Sequence, residues 1–164
     1  MKTVIAFSSV FVVILSSPVP ASILEAQEMT DTIPVAEPLI YVRVFSDSSG
    51  ESHLADGQID FKIADYAPPA LPMSVSDPTP AGGVVFLSSP SGWVGDFHPA
   101  PHRQFIFLLS GGLEVEVSDG ETRRFGPGAV LLVEDTVGRG HVSRVVGGGR
   151  AYVVAVPITD SSPR

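Results

Sequence analysis

Apolar and polar positions alternate along the chain in short blocks, each a run of Val, Ile, Leu, Phe or Tyr closed by a cluster of Gly, Pro, Asp or Ser. The runs are LIYVRVF (39–45), IDFKI (59–63), GVVFLSS (83–89), WVGDFH (93–98), QFIFLL (104–109), LEVEV (113–117), TRRF (122–125), AVLLVE (129–134), HVSRVV (141–146) and AYVVAV (151–156). Runs of this length and punctuation predict strands. Ten strands in about 120 residues, with no long 3.6-period stretch, give the spacing of a β-sandwich or barrel. In LEVEV the residues Leu113, Val115 and Val117 alternate with Glu114 and Glu116, so one face is buried and the other wet. Asp119-Gly120 after it predicts a type I′ turn, and hence a hairpin with TRRF. QFIFLL is apolar on both faces and needs two partners. A second sheet can cover Phe105, Phe107 and Leu109, and so can a second copy in a homodimer.

Two stretches fall outside this rhythm. DYAPPALPMSVSDPTPAGG (65–83) is too rich in proline for a central strand and reads as a wrapping loop or lid. DSSGESHLAD (47–56) reads as a polar turn, with His53 of no special note.

Composition narrows the picture. The chain has 164 residues, room for one domain with a real core, and its 15 Pro and 16 Gly against 17% charged residues suit an all-β protein with many turns. A formal charge of −8, with no basic cluster beyond pairs such as Arg123-Arg124, argues against nucleic acid or an anionic membrane as partner. A small-molecule ligand fits better. There is no cysteine, so neither a disulfide nor a thiolate metal site is available. The N-terminal MKTVIAFSSVFVVILSSPVPASILEAQ has one Lys, a short apolar run and small residues, the layout of a secretory signal peptide. We expect cleavage after residue 21 or 26, a mobile arm over 27–38, one barrel over 39–158 and a tail over 159–164. The mature protein would be secreted or periplasmic, with no membrane contact after cleavage.

Two of the four histidines fall in HPAPHRQFIFLLSGG (98–112). In an extended segment alternate residues share a face, which places His98, His102 and Gln104 together, although Pro99 and Pro101 favour a three-fold polyproline twist that loosens the alignment of His98. Imidazole nitrogens suit Zn, Fe, Ni, Cu or Mn, whereas an amide oxygen is a weak neutral ligand. Glu134-Asp135 lies shortly before His141. The alternation from Leu131 and Val133 favours Asp135 as the inward carboxylate, either for acid/base work or to orient an imidazole.

The order of these pieces resembles the cupin family. Gly92 is followed by five residues and His98, and Gln104 by six residues and Gly111, the frame of the first cupin motif. Gln104 stands where the family has Glu, and Ala100 where it has a second His, with His102 two residues on. His141 takes the place of the second motif's histidine after a longer connection, and no residue matches that motif's closing Asn. The resemblance implies a single-domain cupin-type β-barrel, a jelly-roll-like double-stranded β-helix, with a divalent transition metal (Fe, Mn, Ni or Zn) held by His98, His102, Gln104 and His141. It implies a small oxygenated substrate processed by isomerase, lyase or dioxygenase chemistry; the residues placed for that chemistry are Asp135, His141 and His98, with Trp93, Arg103 and Arg139 positioned to frame the substrate. Two alternatives stand beside it: a binding barrel without turnover, and a metal-independent acid/base enzyme that uses Asp135 and His141.

Overall fold

A computed structural model describes residues 33–159 of the chain. The expected signal peptide, residues 27–32 of the arm and residues 160–164 of the tail lie outside them. Among the described residues there is no helix. The fold is all-β, with eleven strands: β1 Leu39–Ser46, β2 Ser52–Ile59, β3 Lys62–Ala64, β4 Met73–Val75, β5 Val85–Ser89, β6 Gln104–Ser110, β7 Gly112–Val117, β8 Thr122–Phe125, β9 Val130–Val133, β10 His141–Val146 and β11 Ala151–Pro157. They form a six-stranded sheet in the order β2-β1-β9-β6-β11-β5 and a three-stranded sheet in the order β10-β7-β8, with β3 and β4 as a separate small hairpin.

The inner faces of the two sheets are apolar because their strands alternate. On β7, Leu113, Val115 and Val117 are buried: Val115 and Val117 share a core cluster with Val44, Leu131 and Val133 of the large sheet, and Leu113 a second one with Leu108 and Val153. The outward Glu114 of β7 sits opposite Arg124 of β8 and Arg144 of β10, and it pairs with both. The wet face of the small sheet is therefore bound by cross-strand charges. Strand β9 is buried at every position and lies inside the large sheet between β1, which it pairs in parallel, and β6. On the outer face of β6, Phe105 and Phe107 are half-buried, Tyr41 packs edge-on against Phe105, and Leu109 is exposed.

Four expectations are revised. The polar turn expected at 47–56 contains most of β2, whose Ser52 and Leu54 are buried while its later residues are polar and lie on the edge of the sheet. An edge strand needs little apolar character, which is why the pattern hid it. IDFKI shrinks to the three residues of β3, and the proline-rich stretch supplies its partner β4. The segment 93–98 forms no continuous strand, but Val94 bridges Arg144 and His98 bridges His141, so it runs along the free edge of β10. The β7–β8 turn has positive φ only at Gly120 (94°), where glycine carries no Cβ penalty, and Asp119 instead accepts the Glu121 N–H at 2.7 Å.

His53 on β2 lies between two carboxylates: Nδ1 is 2.6 Å from Asp119 and Nε2 is 3.2 Å from Asp47. Asp119, then Asp47, hold its pKa above the ordinary value. Asp47 is held low by Ser49, the Glu51 N–H and His53, and Asp119 by the Glu121 N–H and then His53. A raised histidine stabilises the fold fully below its unfolded pKa and loses that effect as pH rises through the folded one. The lowered carboxylates do so above their unfolded values and lose it as pH falls. The cluster should therefore stabilise most between about pH 4 and 6.5, and less above. Urea unfolding of the parent and His53→Gln across pH 4–9 checks this; parallel pH profiles for the two proteins would count against it.

Candidate active site

Between the sheets lies a partly open cavity of about 180 Å³. Its walls are mostly apolar, with Leu87, Ile106, Leu131 and Val153 among them, and its polar groups are His98, His141, Gln104, Ser89 and Ser143. No Lys, Arg, Asp or Glu lines it.

His141 opens β10 and is buried, and His98 lies at the exposed end of the segment beside it. The two residues exchange backbone hydrogen bonds, each N–H donating to the other's carbonyl at 3.0 Å, and their rings sit 5.0 Å apart between centroids. Gly140 makes this approach possible. Its φ is +76°, and a Cβ there would stand 2.1 Å from the carbonyl carbon and oxygen of His98. From the other side Ser52, wholly buried, donates its hydroxyl to the Gly140 carbonyl. Ser52 is itself held by Ser118, whose N–H donates to Ser52 Oγ at 3.0 Å while Ser52 N–H donates to Ser118 Oγ at 2.8 Å.

Hydrogen bonds fix both rings. His98 Nδ1 lies 2.8 Å from the Asp96 carbonyl, which can only accept, so Nδ1 donates and, in the neutral ring, Nε2 is the acceptor. His141 Nδ1 lies 2.8 Å from Asp135 Oδ2, and the carboxylate takes the same role there. Asp135 is fully buried and its Oδ1 has no hydrogen-bond partner. Its backbone carbonyl accepts the Ala100 N–H at 3.0 Å, tying the segment between His98 and Gln104 to the end of β9. The site is thus an apolar cavity with two imidazoles, each anchored through Nδ1 and leaving Nε2 free of a protein partner, and a carboxyl group behind one of them.

The residues singled out in the sequence divide in two. His98, Gln104, His141 and Trp93 line the cavity, and Asp135 stands behind His141. His102 is exposed and lies outside the lining, because residues 101–103 bend instead of continuing an extended strand and break the expected alternation. Ala100, on the expected histidine face, is buried in the core. Arg103 donates to Glu134 at 3.0 Å, with Arg43 on the other carboxylate oxygen, and Arg139 pairs with Glu51; neither lines the cavity. Ser143 and Ser52 went unnoticed. Strand alternation from His141 points to Ser143, whereas nothing in the sequence marks Ser52.

The donor set does not match the ion that the family resemblance implies. Without His102 there remain two imidazoles and a neutral amide, fewer strong ligands than the three that usually hold a catalytic divalent ion. Among the described residues no three His, Cys, Asp or Glu side chains come together as a metal site.

No family model matches the chain, and no curated protein matches it significantly. Solved structures similar to it include a conserved protein of unknown function from Streptococcus pyogenes, at 15% identity, covering 93% of this chain and 96% of that one with a TM-score of 0.36. An RmlC-like cupin protein from Desulfovibrio desulfuricans is 13% identical over 78% of this chain and 92% of its own, with a TM-score of 0.35. The Cnp3 cupin domain of Schizosaccharomyces pombe is 14% identical over 74% of this chain and 85% of its own, also at 0.35. What the structure itself establishes is two facing β-sheets, of six and three strands, with a cavity enclosed between them.

Proposed function

We propose that the protein is a small-molecule enzyme in which His141, oriented by Asp135, acts as a metal-independent general base and acid on an oxygenated substrate, in the manner of an isomerase or lyase. The observation that carries this reading is the buried His141–Asp135 hydrogen bond of 2.8 Å at the wall of an apolar cavity. A base needs an imidazole in the right tautomer with a free nitrogen toward the substrate, and a carboxylate on the far nitrogen supplies both that orientation and charge stabilisation when the ring takes up a proton. His141 Nε2 takes a proton from the substrate, and the same atom returns it at a neighbouring position or to a leaving oxygen. His98 Nε2 accepts a hydrogen bond from the substrate and holds it in place.

Deuterium exchange at the α-carbon of a panel of small hydroxycarbonyl compounds in D2O, followed by proton NMR, tests the chemistry. Exchange should persist in EDTA and fall by about 100-fold or more in Asp135→Asn. Exchange that EDTA abolishes and a divalent ion restores would overturn it. The same preparations separate the donor sets: Gln104→Glu adds a charged oxygen to the two imidazoles and should bind zinc at least about ten-fold more tightly than the parent. Saturable ligand binding with no exchange in any compound would favour the barrel without turnover.

A further inference from the structure

We infer that the cavity takes an uncharged compound the size of a single six-membered ring, bearing a hydroxyl group that donates to His98 and His141. This rests on the proposal that the cavity is the working site, and it names the class of molecule the site accepts. Three observations converge. The volume, about 180 Å³, is close to the roughly 150 Å³ of a protein cavity that admits benzene. The walls formed by Leu87, Ile106, Leu131 and Val153 reward an apolar body.

Charge is the second discriminator. No Lys or Arg lines the cavity, Arg103 and Arg139 are engaged with Glu134 and Glu51 outside it, and the buried Asp135 carboxylate stands behind His141. An anion would leave water for a site with no cationic side chain beside it and a carboxylate close by. The third observation is the tautomer of each histidine. With Nδ1 of His98 committed to the Asp96 carbonyl and Nδ1 of His141 to Asp135, the nitrogen that each neutral ring leaves for a ligand is an acceptor. A hydroxyl satisfies them, whereas at these two nitrogens an ether or a carboxylate brings only lone pairs against lone pairs.

Phenol, anisole and benzoate share a ring and differ only in donor and charge, so they separate the three demands. Each is titrated at pH 7.5 into the full chain carrying isotope-labelled histidine, with His53 and His102, both away from the cavity, as internal references. Phenol should shift the His98 and His141 imidazole signals saturably and leave the other two in place, and anisole and benzoate should bind at least ten-fold more weakly. Equal binding of anisole or benzoate overturns the inference, and so does phenol that moves neither cavity histidine. The two proposals fail separately. If the acid/base reading alone is wrong, phenol still binds as described while no hydroxycarbonyl compound exchanges deuterium; if this inference alone is wrong, exchange proceeds while phenol shows no preference.

Discussion

Gly140→Ala is expected to cost about 3 kcal/mol of stability or more, and to abolish ligand binding in whatever fraction still folds. Two effects add at this position. The backbone is in the left-handed region, at φ +76°, where a Cβ is strained even in open space, and the added methyl would overlap the His98 carbonyl at 2.1 Å. The obstacle is backbone, so no side-chain rotation relieves it. Relief requires moving His98 away from His141, which breaks the paired backbone hydrogen bonds that hold the two rings together. Gly126→Ala is the control, since a Cβ there meets nothing within 4 Å and its φ is ordinary. Urea denaturation of both variants beside the parent makes the comparison. A Gly140→Ala midpoint equal to that of Gly126→Ala would mean that the loop before β10 yields without cost and that the close approach does not constrain the site.

The two cavity histidines should respond very differently to removal. His141→Ala leaves Asp135 fully buried with neither oxygen partnered, and taking one member from a buried pair typically costs about 3–5 kcal/mol. His98 is exposed, and its side chain holds only the nearby Asp96 carbonyl, so His98→Ala should stay within about 1 kcal/mol of the parent. Adding Asp135→Ala to His141→Ala removes the stranded carboxylate and should recover part of the loss, giving the pair a non-additive double-mutant cycle. Equal, small losses for His98→Ala and His141→Ala would show that Asp135 is hydrated in the variant and that its pairing with His141 contributes little.

The difference marks what sequence could and could not convey. Alternation in LEVEV and the run AVLLVE is enough to identify the strands of the core, because burial on one face or on both writes directly into residue type. It also places Asp135 with Leu131 and Val133, and the backbone delivers it to His141. The reading of His102 with His98 failed for a local reason. Strand periodicity was carried through Pro99 and Pro101, where the chain bends, and a slip there moves a side chain from the cavity to water. Strand β2 escaped because an edge strand with Ser, His, Asp and Gln in it looks like a turn. Ser52 could not have been found at all. Its value lies in a contact with Gly140, 88 residues away in sequence, and a lone serine carries no sign of such a partner.

The order in which the large sheet is threaded bears on how the chain can be made. Strand β1 has one neighbour at once, β2, but its other, β9, lies some 90 residues later, and β5 has no partner until β11 completes the described fold. Until β9 emerges from the ribosome, the chain can close only the hairpins β1–β2, β3–β4 and β7–β8, each too small to persist alone. The exposed edge of β5, with Val85, Phe86 and Leu87, must wait through the whole of that interval. The large sheet is therefore assembled late and from distant parts, and β5 stays unpaired until β11 joins it to β6.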